Sequence, residues 1–368
     1  MPDPRIVRLA QVLVDYSVKV QPGERVTISG LTVAAPLIEA VYERVVERGG
    51  FPHLLMGLPG LAAFFMRHAS DAQLNYISPF TRAQFEEFEC LISLGGTTNT
   101  RDMSGVDPAR QAIQRKALAP LQETYFRRTA AGEFKWVTTQ FPTDAGAQDA
   151  EMSLREYEDF VYGASHVDDS TADPVAYWQG FSAQQQRLVE WMRPRNQVVV
   201  RGPNVDLTLS VKDRRFINAD GQRNMPDGEI FTGPVEDSVN GWVRFTYPVV
   251  AFGREIDGIE LKLENGRVVQ ASAKKNEEFL LSALDTDAGA RYVGEFAIGT
   301  NFGIQRFTKS ILFDEKLGGS FHMALGAGYP DTGSKNQSSL HWDMICDMRQ
   351  GEIWVDGELF YQGGAFQV

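Results

Sequence analysis

Hydrophobic residues in the first half of the chain recur with helical spacing, and short apolar runs separate the helical patterns. Asp3 followed by a proline is typical of a helix start. Ile6 and Leu9 then fall on one face of the predicted helix. The apolar runs at 25–29 and 90–95 have strand composition. This alternation of strands and helices predicts an α/β region with a parallel sheet covered by helices.

From Gln197 onward the pattern changes to short alternating segments that are broken by Gly, Asn and Asp turns. This half is therefore predicted to be β-rich. The change follows a helical segment at 182–192 and a breaker that contains Pro194. We expect two domains, an α/β domain over residues 1–185 and a β-rich α+β domain over residues 186–368.

Composition and charge indicate a folded globular protein and argue against several kinds of partner and site. The 368 residues are 43% hydrophobic and 23% charged, which is typical of a folded globular chain. The net charge of -12 is dispersed, and this argues against a nucleic-acid or anionic-membrane partner. Cys90 and Cys346, each in an apolar stretch, provide neither a disulfide framework nor a thiolate metal cluster. With no signal-like start and no membrane-length apolar run, we expect a cytoplasmic protein.

The tripeptide His341-Trp342-Asp343 is the first candidate for metal chemistry. In an extended segment, residues two apart project from the same face, so the imidazole and the carboxylate would point together. They would form a compact pair of ligands. The alternative is an ordinary polar contact, because a lone histidine beside an acid occurs often by chance.

Other acids and a second histidine stand near glycines. A diglycine turn separates Glu315 from His322 and can fold the two side chains back onto one site. Glu229 and Glu295 each follow a glycine at the entrance to an apolar segment, where a rigid scaffold can hold a functional carboxylate. Taken singly, each of these two glutamates is more typical of a solvated residue at a strand edge.

The residue types indicate the chemistry that such a cluster would perform. Imidazoles and carboxylates without thiolates suit Zn, Co or Mn, and a carboxylate-rich set can bridge two ions. Two such ions lower the pKa of a water molecule and polarise a scissile carbonyl. Tyr329, which follows His322 in the segment GAGYP, is a candidate hydrogen-bond donor to the developing oxyanion. Its alternative is a turn tyrosine that packs on the surface.

The chain resembles the thermophilic metallopeptidase family of aminopeptidase T and aminopeptidase S. The resemblance rests on the order and spacing of the segments NMPDGEIFTGP, GEFAIGTN, DEKLGGSFHMALGAGY and HWD. The stretches LVDYSVKVQPGERVTISG and ERGGFPHLLM are similar to the start of that family, so the likeness covers nearly the whole chain.

The resemblance implies a dimeric, cytoplasmic aminopeptidase with two divalent metal ions per subunit, which removes N-terminal residues from peptides. Tyr329 would donate a hydrogen bond in the transition state. Either Glu295 or Glu229 would bridge the ions or act as base, and the sequence leaves that choice open. The metal ligands that the resemblance implies are Glu229, Glu295, Glu315, His322, His341 and Asp343.

Two other functions fit the same residues. A metal-dependent hydrolase of another amide or ester would use the same metal pair, and a non-catalytic metal- or peptide-binding protein could retain the architecture. The chain lacks the H-E-x-x-H and G-x-S-x-G motifs, so neither a zincin nor a serine hydrolase is supported. The glycines of LGGTTNTRDMSG match no phosphate-binding fingerprint and are interpreted as a loop.

Overall fold

The computed structural model describes residues 3–251 and 254–368, and it divides into two compact units. The first unit comprises the chain up to Gln179 together with Gly221–Pro226. The second comprises Gly180–Asp220 and Asp227–Val368. The predicted division into domains 1–185 and 186–368 stays a prediction.

The helices lie mainly in the first unit. They are α1 (Pro4–Gln11), α2 (Ala35–Glu47), α3 (Leu61–His68), α4 (Asp71–Leu74), α5 (Pro79–Glu86), α6 (Pro108–Ala130), α7 (Asp144–Asp149), α8 (Leu154–Ala164), α9 (Pro174–Met192), α10 (Glu277–Leu284) and α11 (Ile311–Asp314). A π-helical turn (Val12–Ser17) follows α1, and 3₁₀ turns occur at Thr32–Ala34 and Pro330–Thr332.

The strands are short and lie mainly in the second unit. They are β1 (Arg25–Leu31), β2 (Phe51–Gly57), β3 (Cys90–Gly95), β4 (Lys135–Gln140), β5 (Gln197–Gly202), β6 (Val205–Ser210), β7 (Ile217–Ala219), β8 (Asn224–Met225), β9 (Glu229–Thr232), β10 (Asn240–Arg244), β11 (Val249–Ala251), β12 (Arg254–Ile256), β13 (Glu260–Glu264), β14 (Arg267–Ser272), β15 (Val293–Gly299), β16 (Ser320–Gly326), β17 (His341–Asp347), β18 (Glu352–Val355), β19 (Glu358–Gln362) and β20 (Ala365–Phe366).

The first unit contains a parallel sheet in the order β2-β1-β3-β4-β8. Its first helix starts where the sequence predicts, because the Asp3 side chain accepts a hydrogen bond from the Arg5 amide and proline occupies the first turn. Ile6 and Leu9 are buried on the inner face of that helix. The chain leaves α2 at Gly49, whose φ of 75° favours glycine. The predicted α/β region with a parallel sheet is confirmed.

The second unit is built from antiparallel sheets. An eight-stranded sheet has the order β14-β13-β10-β6-β5-β18-β19-β20, and a five-stranded sheet has the order β17-β16-β15-β9-β7. Strands β11 and β12 form a separate hairpin. One core cluster takes residues from both larger sheets, among them Leu207, Phe296 and Met323. The predicted β-rich C-terminal half is therefore confirmed.

The structure also bears on the two cysteines and on membrane-spanning helices. Cys90 and Cys346 are buried free thiols, and burial raises the pKa of each to about 12. Within the part of the chain that the structure describes, every helix is too short or too polar to cross a bilayer.

Candidate metal centre

Four neighbouring strands of the five-stranded sheet present candidate ligands on the face opposite the core. Glu229 begins β9, Glu295 lies in β15, His322 lies in β16, and His341 and Asp343 lie in β17. The residues that alternate with them along these strands belong to the core cluster. The sequence-based interpretation of the two glutamates as solvated edge residues is wrong, because their exposed fractions are 5% and 4%. Pairing within the sheet, which a single segment does not reveal, buries them.

A bulge in β15 directs one of these glutamates away from the core. The pairing register with β16 shifts between Val293 and Glu295. In a regular strand these residues would share a face, whereas here Val293 packs in the core and Glu295 lies on the opposite face. A Cβ atom on the intervening Gly294 would lie 2.3 Å from the carbonyl oxygen of Ala327. The bulge therefore requires glycine at this position.

Cross-strand pairing brings the side chains together. Ala324 of β16 pairs with Glu295 on one side and with Asp343 on the other, and its small side chain leaves room for both carboxylates. The Nε2 atom of His322 lies 3.3 Å from Glu295 Oε1, 3.4 Å from Glu229 Oε2 and 3.9 Å from Asp343 Oδ1. An imidazole thus stands among three carboxylates.

The carboxylates of Glu295 and Asp343 each have one oxygen near His322 and the other near His341. Glu295 places Oε1 3.3 Å from His322 Nε2 and Oε2 3.6 Å from His341 Nε2. Asp343 does the same, with Oδ1 3.9 Å from His322 Nε2 and Oδ2 3.7 Å from His341 Nε2. Each of these side chains can therefore offer one oxygen to a cation near each imidazole.

Glu315 approaches the same face from the end of α11. The chain returns from it through the diglycine turn, where Gly319 has a φ of 92°. All six side chains proposed as ligands from the sequence meet in this way, and their assignment as ligands stays a prediction. Atoms that lie within 4.8 Å of one another come from three overlapping groups, Glu229 with Glu295 and His322, Glu295 with His341 and Asp343, and Glu315 with His322 and Asp343.

A lysine that the sequence interpretation missed lies against this cluster. Lys316 is 1% exposed, and its Nζ atom lies 2.7 Å from Glu229 Oε1 and 3.7 Å from Asp227 Oδ1. It also donates a hydrogen bond to Glu315. Lysines are seldom buried, and a lysine beside a diglycine turn is typical of a solvated loop, so no local signal indicated this position.

The buried charges shift one another's titration in the metal-free chain. Burial raises the pKa of Glu229 to about 8 and that of Asp343 to about 6. Burial disfavours the Glu315 carboxylate too, yet Lys316 and His322 together outweigh burial and lower the pKa of Glu315. Burial likewise disfavours the His322 imidazolium, but Glu229 and Glu295 raise the pKa of His322 to about 10. The site therefore favours bound positive charge.

The donor set fits a divalent transition metal. Glu229 Oε2 is buried and has no hydrogen-bond partner among residues 3–251 and 254–368, and such an atom is costly unless a cation contacts it. The Nδ1 atom of His341 lies 2.8 Å from the carbonyl oxygen of Ala327, which leaves Nε2 for the centre. Nitrogen and carboxylate donors without sulfur suit Zn, Co or Mn.

Tyr329 stands at the edge of the cluster. Its ring centroid is 5.1 Å from that of His341 and 5.5 Å from that of Phe231. The side chain is partly open to solvent, with an exposed fraction of 47%. Partial burial and the carboxylates of Glu295 and Asp343 raise the pKa of its hydroxyl, so the proton stays on the oxygen at neutral pH.

Comparisons with known proteins show what this chain is similar to. Aminopeptidase 2 from Geobacillus stearothermophilus is 29% identical, with 90% of this chain and 86% of the relative covered. Aminopeptidase T from Thermus aquaticus is 25% identical, with 96% and 94% covered. The solved structure of wild-type AmpT from Thermus thermophilus has a TM-score of 0.85 at 20% identity, with 99% of each chain covered, and this match supports the fold.

A family model gives the broadest match. The model described as thermophilic metalloprotease (M29) matches residues 3–366, and this range includes every side chain of the cluster. The chain therefore belongs to the M29 family of thermophilic metalloproteases, which are metal-dependent peptide hydrolases.

Proposed function

We propose that this protein is an aminopeptidase that removes N-terminal residues from peptides with two divalent metal ions in the cluster. One observation carries the two-ion proposal: Glu295 and Asp343 each direct one oxygen to His322 and the other to His341. Carboxylates that span two positions in this way are typical of two-metal hydrolases. The names of the relatives, aminopeptidase 2 and aminopeptidase T, support the reaction class.

Charge supports the same number of ions. Glu229, Glu295, Glu315 and Asp343 carry four negative charges when ionised, and the Lys316–Asp227 pair adds no net charge. Two divalent cations would balance these four charges. A single divalent cation would leave a buried excess of negative charge, which is unfavourable in an interior of low dielectric constant.

The protein residues would divide the chemical work. Bound divalent ions supply a lower pKa for the attacking water and polarisation of the scissile carbonyl. Glu295 and Asp343, whose two oxygens face different imidazoles, would hold both ions, whereas Glu229 has one oxygen held by Lys316. Tyr329, protonated at neutral pH, can donate a hydrogen bond to the oxygen that becomes negative during attack.

Metal removal is the direct test of this proposal. We expect a chelator to lower cleavage of leucine p-nitroanilide by at least about 100-fold, because the ions provide most of the electrostatic stabilisation. Zn, Co or Mn should restore the activity, with saturation at two ions per chain by elemental analysis. The acetyl-blocked anilide, which has no free N-terminus, serves as the matched control and should not be cleaved.

Each other result of that experiment contradicts a named part of the proposal. Full activity in the chelator would refute the metal mechanism, and saturation at one ion would refute the two-ion site. Cleavage of esters alone would indicate the rival hydrolase. Metal binding without turnover of any substrate would indicate a binding protein.

We also propose that two copies of this chain pair through an apolar surface of the first unit. Strand β2 is an edge strand, and Leu54 and Leu55, on its opposite faces, are 48% and 44% exposed. Phe64 of α3, the helix that follows β2 in the chain, is 60% exposed. A monomer rarely leaves such an edge open to water.

The free state of both cysteines supports a further proposal, that the protein works in the cytoplasm.

Sedimentation can test the pairing. Replacing Leu54 by lysine and Phe64 by glutamate puts charges into the surface, and the protein is expected to sediment as a monomer. Wild type and Val269→Glu, which alters an exposed apolar residue of β14, should sediment as dimers. A monomeric wild type would contradict the proposal.

A further inference from the structure

An apolar pocket adjoins the candidate metal centre on the side of β17. Its volume is about 220 Å³, and the side chains of His341 and Asp343 form part of its wall. The rest of the wall is mostly hydrocarbon, with Val249 and Val250 from β11, Phe307 and Ile311 from the segment before and within α11, and Ile345 from β17.

The fold explains why this pocket opens beside the cluster. His341, Asp343 and Ile345 share one face of β17 because side chains alternate along a strand. At the outer edge of that strand, the Thr246 amide donates a hydrogen bond to the Ile345 carbonyl oxygen, and this contact brings the β11 hairpin alongside. Phe307 stacks on Tyr247 with ring centroids 5.0 Å apart, which fixes the opposite wall.

We infer that this pocket binds an apolar side chain of the first residue of the peptide, so that the enzyme prefers leucine or phenylalanine at the N-terminus. The inference rests on the proposed aminopeptidase function. A dry cavity of about 150 Å³ lined by similar side chains is large enough for benzene, so about 220 Å³ accommodates a leucyl or benzyl group.

The charges around the pocket favour the first residue over the second. Asp314 lines the pocket beside the proposed metal ligand Asp343, and its carboxylate accepts hydrogen bonds from the Thr308 amide and hydroxyl. An N-terminal residue carries a cationic ammonium group and its side chain on the same carbon, so it matches a pocket that combines acid and hydrocarbon. The second residue of a peptide carries a neutral amide at that position. Lys309, which also borders the pocket, has its Nζ atom 3.5 Å from Glu255 Oε2.

A substrate panel tests the inference separately from the proposed function. The metal-loaded wild type is expected to have a kcat/KM on the order of 100-fold higher for leucine p-nitroanilide than for alanine p-nitroanilide, because each apolar group lost from a matched pocket costs roughly 10-fold or more. In dipeptides, changing the second residue from alanine to leucine should alter kcat/KM far less. Cleavage of both anilides at equal rates would overturn the pocket inference and leave the aminopeptidase intact. Cleavage of neither would refute the function itself.

Variants locate the preference in the pocket. Val250→Phe fills the space and is expected to lower the leucine-to-alanine ratio of kcat/KM by about 10-fold or more. Val250→Ala, which removes volume and is tolerated more easily by the fold, should raise the ratio of phenylalanine to leucine. Val269→Phe makes the same change at a 43% exposed position of β14 that does not line the pocket, and it should leave the ratios unchanged.

Binding gives a readout that does not depend on turnover. Calorimetry with the product amino acids should show L-leucine binding more tightly than L-alanine to the wild type, and this difference should shrink in Val250→Phe. A crystal structure with L-leucine should place the isobutyl group between Val250 and Ile345. An isobutyl group elsewhere, or ratios that Val250 substitutions do not change, would overturn the inference.

Discussion

Replacing Glu295 by glutamine is expected to reduce peptide cleavage on the order of 1,000-fold, equivalent to about 4 kcal/mol of transition-state stabilisation. The amide retains the size of the carboxylate but loses its charge. One of its two ends becomes a donor that faces an imidazole, where the structure has an oxygen 3.3 Å from His322 or 3.6 Å from His341. The variant can therefore no longer span two cations.

The fold should survive this substitution. Glu295 lies on the face of the sheet opposite the core, and in the metal-free protein the lost charge removes both repulsion by the neighbouring acids and attraction by His322, so these two effects oppose each other. Circular dichroism and thermal unfolding of the metal-free variant should therefore match the wild type. The measurement is kcat/KM on leucine p-nitroanilide at saturating metal, together with the metal content per chain.

A second variant of the cluster and a control variant accompany this test. His341→Ala is expected to lose activity to a similar extent, since it removes the imidazole that Glu295 Oε2 faces. Glu264→Gln changes an exposed glutamate of β13 whose partner is Lys262, and it should keep wild-type activity. Full activity in both metal-loaded Glu295→Gln and His341→Ala would show that the cluster is not the active centre.

Local sequence patterns were sufficient for features that depend on neighbouring residues. The pair His341 and Asp343 shares a face because β17 is extended and its alternate residues Trp342 and Met344 enter the core. The start of α1 is likewise predictable from the sequence, because a cap residue and a proline act within one turn. The change of periodicity near residue 197 correctly marked the antiparallel half.

Features that depend on strand register were not predictable from single segments. Glu229 and Glu295 are 66 positions apart in the numbering, and only the pairing of β9 with β15, and of β15 with β16, brings them to His322. The bulge at Gly294 reverses the face that simple alternation from Val293 would assign to Glu295. The resemblance to a known family supplied this long-range information, whereas residue spacing alone left each glutamate as a solvated edge residue.

Lys316 provides the second prediction, and it concerns the stability of the metal-free protein. Lys316→Met is expected to lower the free energy of unfolding by about 3–5 kcal/mol, because it leaves buried carboxylates without their cationic partner. The Lys316 Nζ atom contacts Glu229 and Glu315 and lies 3.7 Å from Asp227 Oδ1, and both Lys316 and Asp227 are 1% exposed. Methionine fills a similar volume, so the main change is the lost charge.

Urea unfolding in the presence of a chelator measures this effect. Lys262→Met removes an exposed lysine, 49% open to solvent and paired with Glu264, and should change the free energy of unfolding by no more than about 0.5 kcal/mol. The double variant Lys316→Met with Glu229→Gln should be less destabilised than the sum of its single variants, because it removes a charge that the methionine leaves unpaired. If Lys316→Met were as stable as Lys262→Met, the lysine would not be balancing these acids. The negative charge of the cluster would then exceed the four positive charges that two divalent ions supply.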